Sequence, residues 1–224
     1  MPRKLYQPPK RQSDRQAVDE SGQLLKRTFD IVAASIGLIV LSPLMLLVAI
    51  AILIESGWPV FYRAERTGRW GDPFKILKFR SMRASESESH SHHSGDDDPR
   101  ITRIGKFIRK YKFDELPQLW NVVVGKMSLV GPRPETTEYT KLYIEEQMII
   151  FSMRPGITDY ASIEFADLGS LLSGGDPDEL YFEKVWERKM ELRMKYVRDQ
   201  SFVRDLGLIF RTLAAPFSNR QQKN

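Results

Sequence analysis

Between Asp30 and Glu55 this chain of 224 residues runs for 24 positions, Ile31 to Ile54, without a charge. A straight helix of that length covers about 36 Å, enough for a bilayer core of roughly 30 Å. A soluble core helix so long and so uniformly apolar is rare, so the run is read as membrane-inserted. It is too long for the apolar region of a secretory signal. It is also followed by Glu55-Ser56-Gly57-Trp58-Pro59, which is not a small-residue cleavage site, so the segment is expected to stay in the mature protein. Ser42-Pro43 interrupts it near the middle, where proline removes a backbone hydrogen bond and kinks a helix. Basic residues flank both ends: Arg15, Lys26 and Arg27 before, Arg63, Arg66, Arg69 and Lys75 after. Positive charge favours the cytoplasmic side, so the flanks give no clear orientation. Two placements stay open. One is a kinked spanning helix, slightly favoured by the residues alone; the other is a helix bent at Ser42-Pro43 that enters and leaves by the same face.

The net charge of +5 calls for an anionic partner: lipid headgroups, phosphorylated ligands or nucleic acid. No nucleic-acid recognition motif accompanies it, and a membrane surface explains the charge better. The chain has no cysteine, which removes thiolate chemistry and disulfides. Its histidines, His90, His92 and His93, fall in one Ser/Glu/Asp-rich tract, 85–98, that reads as a mobile loop. A His/Asp metal site there has no rigid element to fix its ligands. Nucleophilic or acid/base work is therefore left to carboxylates, with Lys, Tyr or Ser as the remaining options. Asp114 and Glu115, adjacent and placed just after a basic amphipathic segment, are the first candidates. An Asp-Glu pair taken alone is more often merely solvated at a helix end.

Residues 1–25 read as a flexible basic tail, 26–56 as the membrane helix, 57–200 as a globular domain and 201–224 as an amphipathic helix with its tail. Pro59 to Arg63 and Phe74 to Arg80 look like short strands of a hairpin around the turn formers of 66–73. In 99–113, Ile101, Ile104, Phe107, Ile108 and Tyr111 share one helical face, and Arg103, Lys106, Arg109 and Lys110 the other. Such a helix either packs on a core or rests among headgroups. Carried one turn onward, it would present Asp114 and Glu115 near that interface. In Gly131-Pro132-Arg133-Pro134 and Arg154-Pro155-Gly156, stiff backbone surrounds an arginine, which can pre-organise it for bidentate phosphate binding. Periodicity predicts further helices over 177–198 and 201–213. In the second, Phe202, Leu206, Ile209, Phe210 and Leu213 form an apolar stripe.

Several pieces together resemble the bacterial sugar transferases, the monotopic phosphoglycosyl transferases. They are Lys26-Arg27-Thr28-Phe29-Asp30 leading into the apolar run with Ser42-Pro43; Lys78-Phe79-Arg80-Ser81-Met82; Asp114-Glu115-Leu116-Pro117-Gln118-Leu119-Trp120-Asn121; Met127 to Pro134; Arg154-Pro155-Gly156-Ile157-Thr158; and Ser201-Phe202 with Asp205-Leu206. The resemblance runs from about Lys26 to Leu213. It implies an α+β, mainly helical protein of the minimal catalytic form. A re-entrant helix broken at Ser42-Pro43 would anchor a small domain of short strands and interfacial helices on the cytoplasmic face of the bacterial inner membrane. The implied reaction moves a phosphosugar from a UDP-sugar to undecaprenyl phosphate and releases UMP, a first membrane step in building surface glycans such as exopolysaccharide. Asp114 would attack the β-phosphorus, giving an aspartyl-phosphosugar intermediate. Asp114 would bind Mg²⁺, Glu115 would help bind Mg²⁺ or position the lipid phosphate, and Arg109, Arg133, Lys78, Arg80 and Arg154 would hold phosphate oxygens. A homodimer stays open. The competing readings are glycosyl transfer with release of UDP and a non-catalytic membrane-attached interaction protein. Two departures stand out: Lys126 where many members carry an acid, and Asp159-Tyr160-Ala161-Ser162 where Gly-Trp-Ala-Gln is common. The second is read as the mark of a different sugar or nucleotide pocket.

Overall fold

The computed structural model describes residues 20–83 and 94–218. Most of the expected tail and all three histidines, with the metal-site reading attached to them, lie outside those residues. The chain is mainly helical with a few short strands, as expected.

The apolar run forms one helix, α1 (Glu20–Ser56), continuous through Pro43, so the expected break at Ser42-Pro43 is not an interruption of the helix. Pro43 cannot donate to the Ile39 carbonyl; the Ser42 hydroxyl does so instead, at 2.7 Å. The helix has two unlike faces. Ala34, Val48 and Ile52 are buried against the rest of the chain, while Ile39, Val40, Leu46, Leu47 and Ile54 stand exposed. Uncovered apolar surface of that extent marks a membrane or partner contact.

Strands β1 (Phe61–Thr67) and β2 (Pro73–Phe79) pair antiparallel from Phe61↔Phe79 to Thr67↔Pro73, the hairpin expected from the turn formers. Alternation along β2 buries Phe74 and Ile76, and Phe79, out of that alternation at the strand's end, is buried as well. Phe74 and Ile76 pack with Ala34 of α1 and Val122 of α3 (Gln118–Val123). Phe79 packs with Val48 and Ile52 of α1 and Ile108 of α2 (Arg103–Lys110). The hairpin, α2 and α3 thus line one side of α1 over most of its length. Thr102 caps α2, its hydroxyl accepting from the Gly105 amide at 2.8 Å. Glu55, at the end of α1, accepts from the Arg103 and Ile104 amides at 2.8 and 3.0 Å, so the two helix ends are tied together.

The expected helix over 99–113 is shorter than its apolar pattern. It ends at Lys110, and Lys112 takes the left-handed conformation (φ 58°), which stops the helix before the carboxylates. Phe107 remains half-exposed beside Tyr111 and Phe113 rather than entering the core.

Beyond α3, the short strands β3 (Ser128–Val130) and β4 (Gly156–Thr158) pair in parallel. Between and after them come α4 (Thr137–Thr140), α5 (Tyr160–Glu164), α6 (Leu168–Leu171) and α7 (Pro177–Tyr181). A π-turn, Phe182–Trp186, joins α7 to α8 (Glu187–Asp199), filling the predicted 177–198 segment. In α9 (Phe202–Ser218) Asp205 and Leu208 are buried, whereas Phe210 and Leu213 of the predicted stripe are exposed with Val203. Helix α9 therefore packs on a narrower face than its composition suggested and keeps an apolar side uncovered.

Candidate active site

After the left-handed Lys112 the chain makes a 3-10 turn, Phe113–Glu115, rather than a further α-turn. The turn separates two neighbouring carboxylates. Asp114 points inward, with 8% of its surface exposed, and its Oδ1 has no hydrogen-bond partner among the described residues. Gln118, one helical turn on, is fully buried, and neither side-chain amide atom has a partner there. Glu115 is the opposite case. Lys78 Nζ donates to its Oε1 at 3.0 Å, Arg133 Nη1 to its Oε2 at 3.0 Å, and Arg133 Nη2 also reaches Oε1.

Each cation is placed by its own element. Lys78 lies on β2, which Asn121 of α3 fixes by accepting from the Leu77 amide and donating to the Lys75 carbonyl, both at 2.9 Å. Arg133 follows β3 in the turn 131–134. Its guanidinium also donates to the Ile157 carbonyl at 3.1 Å, and its backbone amide to Asp159 Oδ2 at 3.0 Å. Asp159 is fully buried and, with its other oxygen, caps α5 through the Ser162 amide at 2.7 Å. The two arginine turns read from the sequence meet here backbone to backbone. The Gly156 amide donates to the Pro132 carbonyl, and a Cβ on Gly156 would stand 2.1 Å from the Gly131 nitrogen. Only glycine permits that approach.

Electrostatics set the carboxylates further apart. Burial is the largest influence on Asp114 and raises its pKa; Lys78 pulls it down, and the negative charge of Glu115 adds to the rise. Burial also disfavours the Glu115 anion, but Arg133 and Lys78 outweigh it and hold that carboxyl well below the usual range. Lys112 and Arg109 also lie close enough to lower the Asp114 pKa.

The other expected phosphate ligands are dispersed. Arg109, in the last turn of α2, borders the site and donates to Ser94 Oγ at 3.1 Å. Arg80 closes the end of α1, donating to the Ser56 and Gly57 carbonyls at 2.7 and 2.6 Å. Arg154 donates to the Gly125 carbonyl at 3.2 Å and lines another cleft, with Arg27 and Arg69. Sequence reasoning missed Asn121 and Asp159 as supports. The only signal for Asp159 was its departure from the common pattern after Thr158. It also missed the buried group behind Pro134, where Glu135 Oε1 accepts from Tyr181, Lys189 and Arg193, each at 2.8 Å.

Among the described residues no three His, Asp or Glu side chains gather to cage a metal. Both Glu115 oxygens are engaged, which leaves Asp114 as the carboxylate free to meet a cation. One carboxylate completed by substrate phosphates and water suits Mg²⁺.

A long apolar helix carrying a small domain, with a buried carboxylate unpartnered among the described residues beside lysine and arginine, defines the class of protein to which the chain is compared. The chain belongs to the bacterial sugar transferase family, whose model matches residues 21–219. It is 37% identical over 201 residues to the UDP-glucose:undecaprenyl-phosphate glucose-1-phosphate transferase of Escherichia coli K12, an alignment covering 88% of this chain and 41% of that protein. The chain thus spans less than half the length of that relative. It is 37% identical over 190 residues to the uncharacterized sugar transferase EpsL of Bacillus subtilis 168, covering 85% of this chain and 86% of EpsL. It is 34% identical over 214 residues to the exopolysaccharide production protein ExoY of Rhizobium meliloti 1021, covering 89% and 88%.

Proposed function

We propose that this protein transfers a sugar 1-phosphate from a UDP-sugar to undecaprenyl phosphate, releasing UMP, in the assembly of an exopolysaccharide or related surface glycan. The observation that carries the proposal is the division of labour at 114–115. Glu115 is neutralised by Arg133 and Lys78, while Asp114 keeps a buried oxygen with no partner among the described residues. That is how a nucleophile would be presented to a phosphate, and the family supplies the reaction class.

In the proposed chemistry an Asp114 oxygen forms a bond to the β-phosphorus, and the bond from that phosphorus to the bridging oxygen breaks, giving UMP. An oxygen of undecaprenyl phosphate then attacks the same phosphorus, and the Asp114–phosphorus bond breaks. The carboxylate returns unchanged, and its anion attacks without a general base. Both steps set an anion against an anion, so the cations matter more than acid/base groups. Lys78 and Arg133, locked onto Glu115, present fixed positive charge beside Asp114, and Arg109 borders it. Mg²⁺, held by Asp114 and the diphosphate, would supply further charge neutralisation. Asp159 acts at one remove, fixing the Arg133 backbone.

The same reading places the protein on the cytoplasmic face of the inner membrane, with α1 entering and leaving by one side. Its support is that both ends of α1 bond to one polar domain. Arg27 donates to the Val123 carbonyl at 3.0 Å, and Glu55 accepts from the first amides of α2.

The test is the nucleotide released when purified protein meets undecaprenyl phosphate, Mg²⁺ and a panel of UDP-sugars headed by UDP-glucose. UMP is expected, and EDTA should abolish it. UDP would overturn phosphosugar transfer in favour of simple glycosyl transfer; turnover insensitive to EDTA would remove the metal.

A further inference from the structure

Apart from the carboxylate site, one open cleft lies at the foot of α1, lined by Arg27, Arg69 and Arg154 together with Lys26 and Asp30. It shares no lining residue with the cluster around Asp114. Its charge is unbalanced. Lys26 is paired with Asp205 at 2.6 Å, and Asp30 is engaged by Ser128 Oγ at 2.7 Å and the Leu129 amide at 3.2 Å. The three guanidiniums bond neutral acceptors instead: Arg27 the Val123 carbonyl, Arg69 the Ser152 carbonyl at 2.8 Å and Gln23 Oε1 at 3.1 Å, and Arg154 the Gly125 carbonyl. Among the described residues no carboxylate bonds any of them, and the terminal nitrogens of Arg154 have no partner. Burial, then the charge of Arg154, lowers the pKa of both Arg27 and Arg69, the latter to about 10. Three half-buried guanidiniums that repel one another call for an anion.

The position of the cleft says which anion. Its α1 residues lie just before the uncharged run, at headgroup depth once that run is inserted. Leu24 and Leu25 are 69% and 60% exposed at the same level. Helix α9, tied here by the Lys26–Asp205 pair and by the edge-on Phe29–Phe202 contact, exposes Val203 and Phe210. A ligand seated here would have its charge among arginines and apolar surface close by.

We propose that this cleft is a second anion site, holding the phosphate of an anionic membrane phospholipid and fixing the base of α1 against the domain. The proposal rests on the membrane reading of α1.

The experiment uses the full chain in detergent, with phosphatidylglycerol, phosphatidylcholine or soluble glycerol phosphate added. Phosphatidylglycerol should raise Tm by several degrees and remain bound in native mass spectrometry, as expected for a ligand of the folded state alone. Arg69→Gln with Arg154→Gln should remove the shift and weaken phosphatidylglycerol binding by ~10-fold or more. Should that pair prevent folding, Arg154→Lys decides: it keeps the charge but loses the planar fork, so a clearly smaller shift is expected. An unchanged phosphatidylglycerol shift in the variants would sink the proposal. So would an equal shift with glycerol phosphate, which would make the cleft a site for free phosphate. Flotation with phosphatidylcholine vesicles separates the two readings. If the unsubstituted protein fails to float, the membrane reading falls; if it floats and the variants respond normally to phosphatidylglycerol, only the cleft falls.

Discussion

Because Glu115 draws Arg133 and Lys78 onto its own oxygens, Asp114 is left buried with no bonded counter-ion among the described residues, and its ionisation works against folding. The sign follows from its raised pKa. The unfolded chain ionises Asp114 at lower pH than the folded one does, so the penalty is present at neutral pH and is relieved as pH falls through the folded pKa. Asp114→Asn should therefore raise Tm at pH 7 while lowering turnover by on the order of 10³-fold or more. The Tm gap between variant and parent should close on acidification. An unchanged or lowered Tm at pH 7 would contradict the burial argument, and retained turnover would remove the nucleophile. A folded-state pKa above the usual carboxylate range also places the acid limb of the rate profile at higher pH than an exposed aspartate would. The adjacency of the two acids was legible in the sequence. Their contrast was not, because it depends on Arg133 arriving from 18 residues away and on a left-handed Lys112 that no local pattern announces.

At the scale of elements, α1 runs on through Pro43 because one donor substitutes for another. Ser42 Oγ stands in for the amide that Pro43 lacks, so Ser42→Ala should leave the Ile39 carbonyl unbonded on an apolar surface, costing about 1–3 kcal/mol. In a Pro43→Ala background the restored amide serves that carbonyl, and the same Ser42→Ala change should have little effect. A double-mutant cycle on Tm in detergent measures the difference; additive effects would show that the hydroxyl does not play this part. The hairpin and the long helices were readable because each carries either turn formers or enough residues to show a period. Strands β3 and β4, of three residues each, show none. Their pairing rests on Gly131 and Gly156 meeting backbone to backbone, which the sequence signalled only as two separate arginine turns. Helix α2 was overextended for a related reason: the apolar spacing continues through Tyr111 and Phe113 although the backbone has already turned away.

For the whole molecule, the proposed placement of α1 rests on what its two ends touch. At one end Lys26 meets Asp205, Arg27 meets the end of α3 and Asp30 meets β3; at the other, Glu55 caps α2 and Arg80 closes the last turn. Those partners belong to one polar body that also packs along the middle, where Leu119 would lie 3.3 Å from a Cβ on Gly37. If α1 crossed the bilayer, α3 and its charged neighbours would be carried into hydrocarbon, where unpaired polar groups cost several kcal/mol each. Entry and exit by one face leaves that body in water and agrees with basic residues on both flanks. The chain has no cysteine, so single cysteines report without background. Gln16→Cys in the tail and Arg83→Cys after β2 should both resist an impermeant maleimide in intact spheroplasts and both react once the membrane is opened. Labelling of one but not the other before opening would mean a spanning helix. It would then require the bonds at one end of α1 to be broken in the membrane, since a single domain cannot hold both ends from opposite sides.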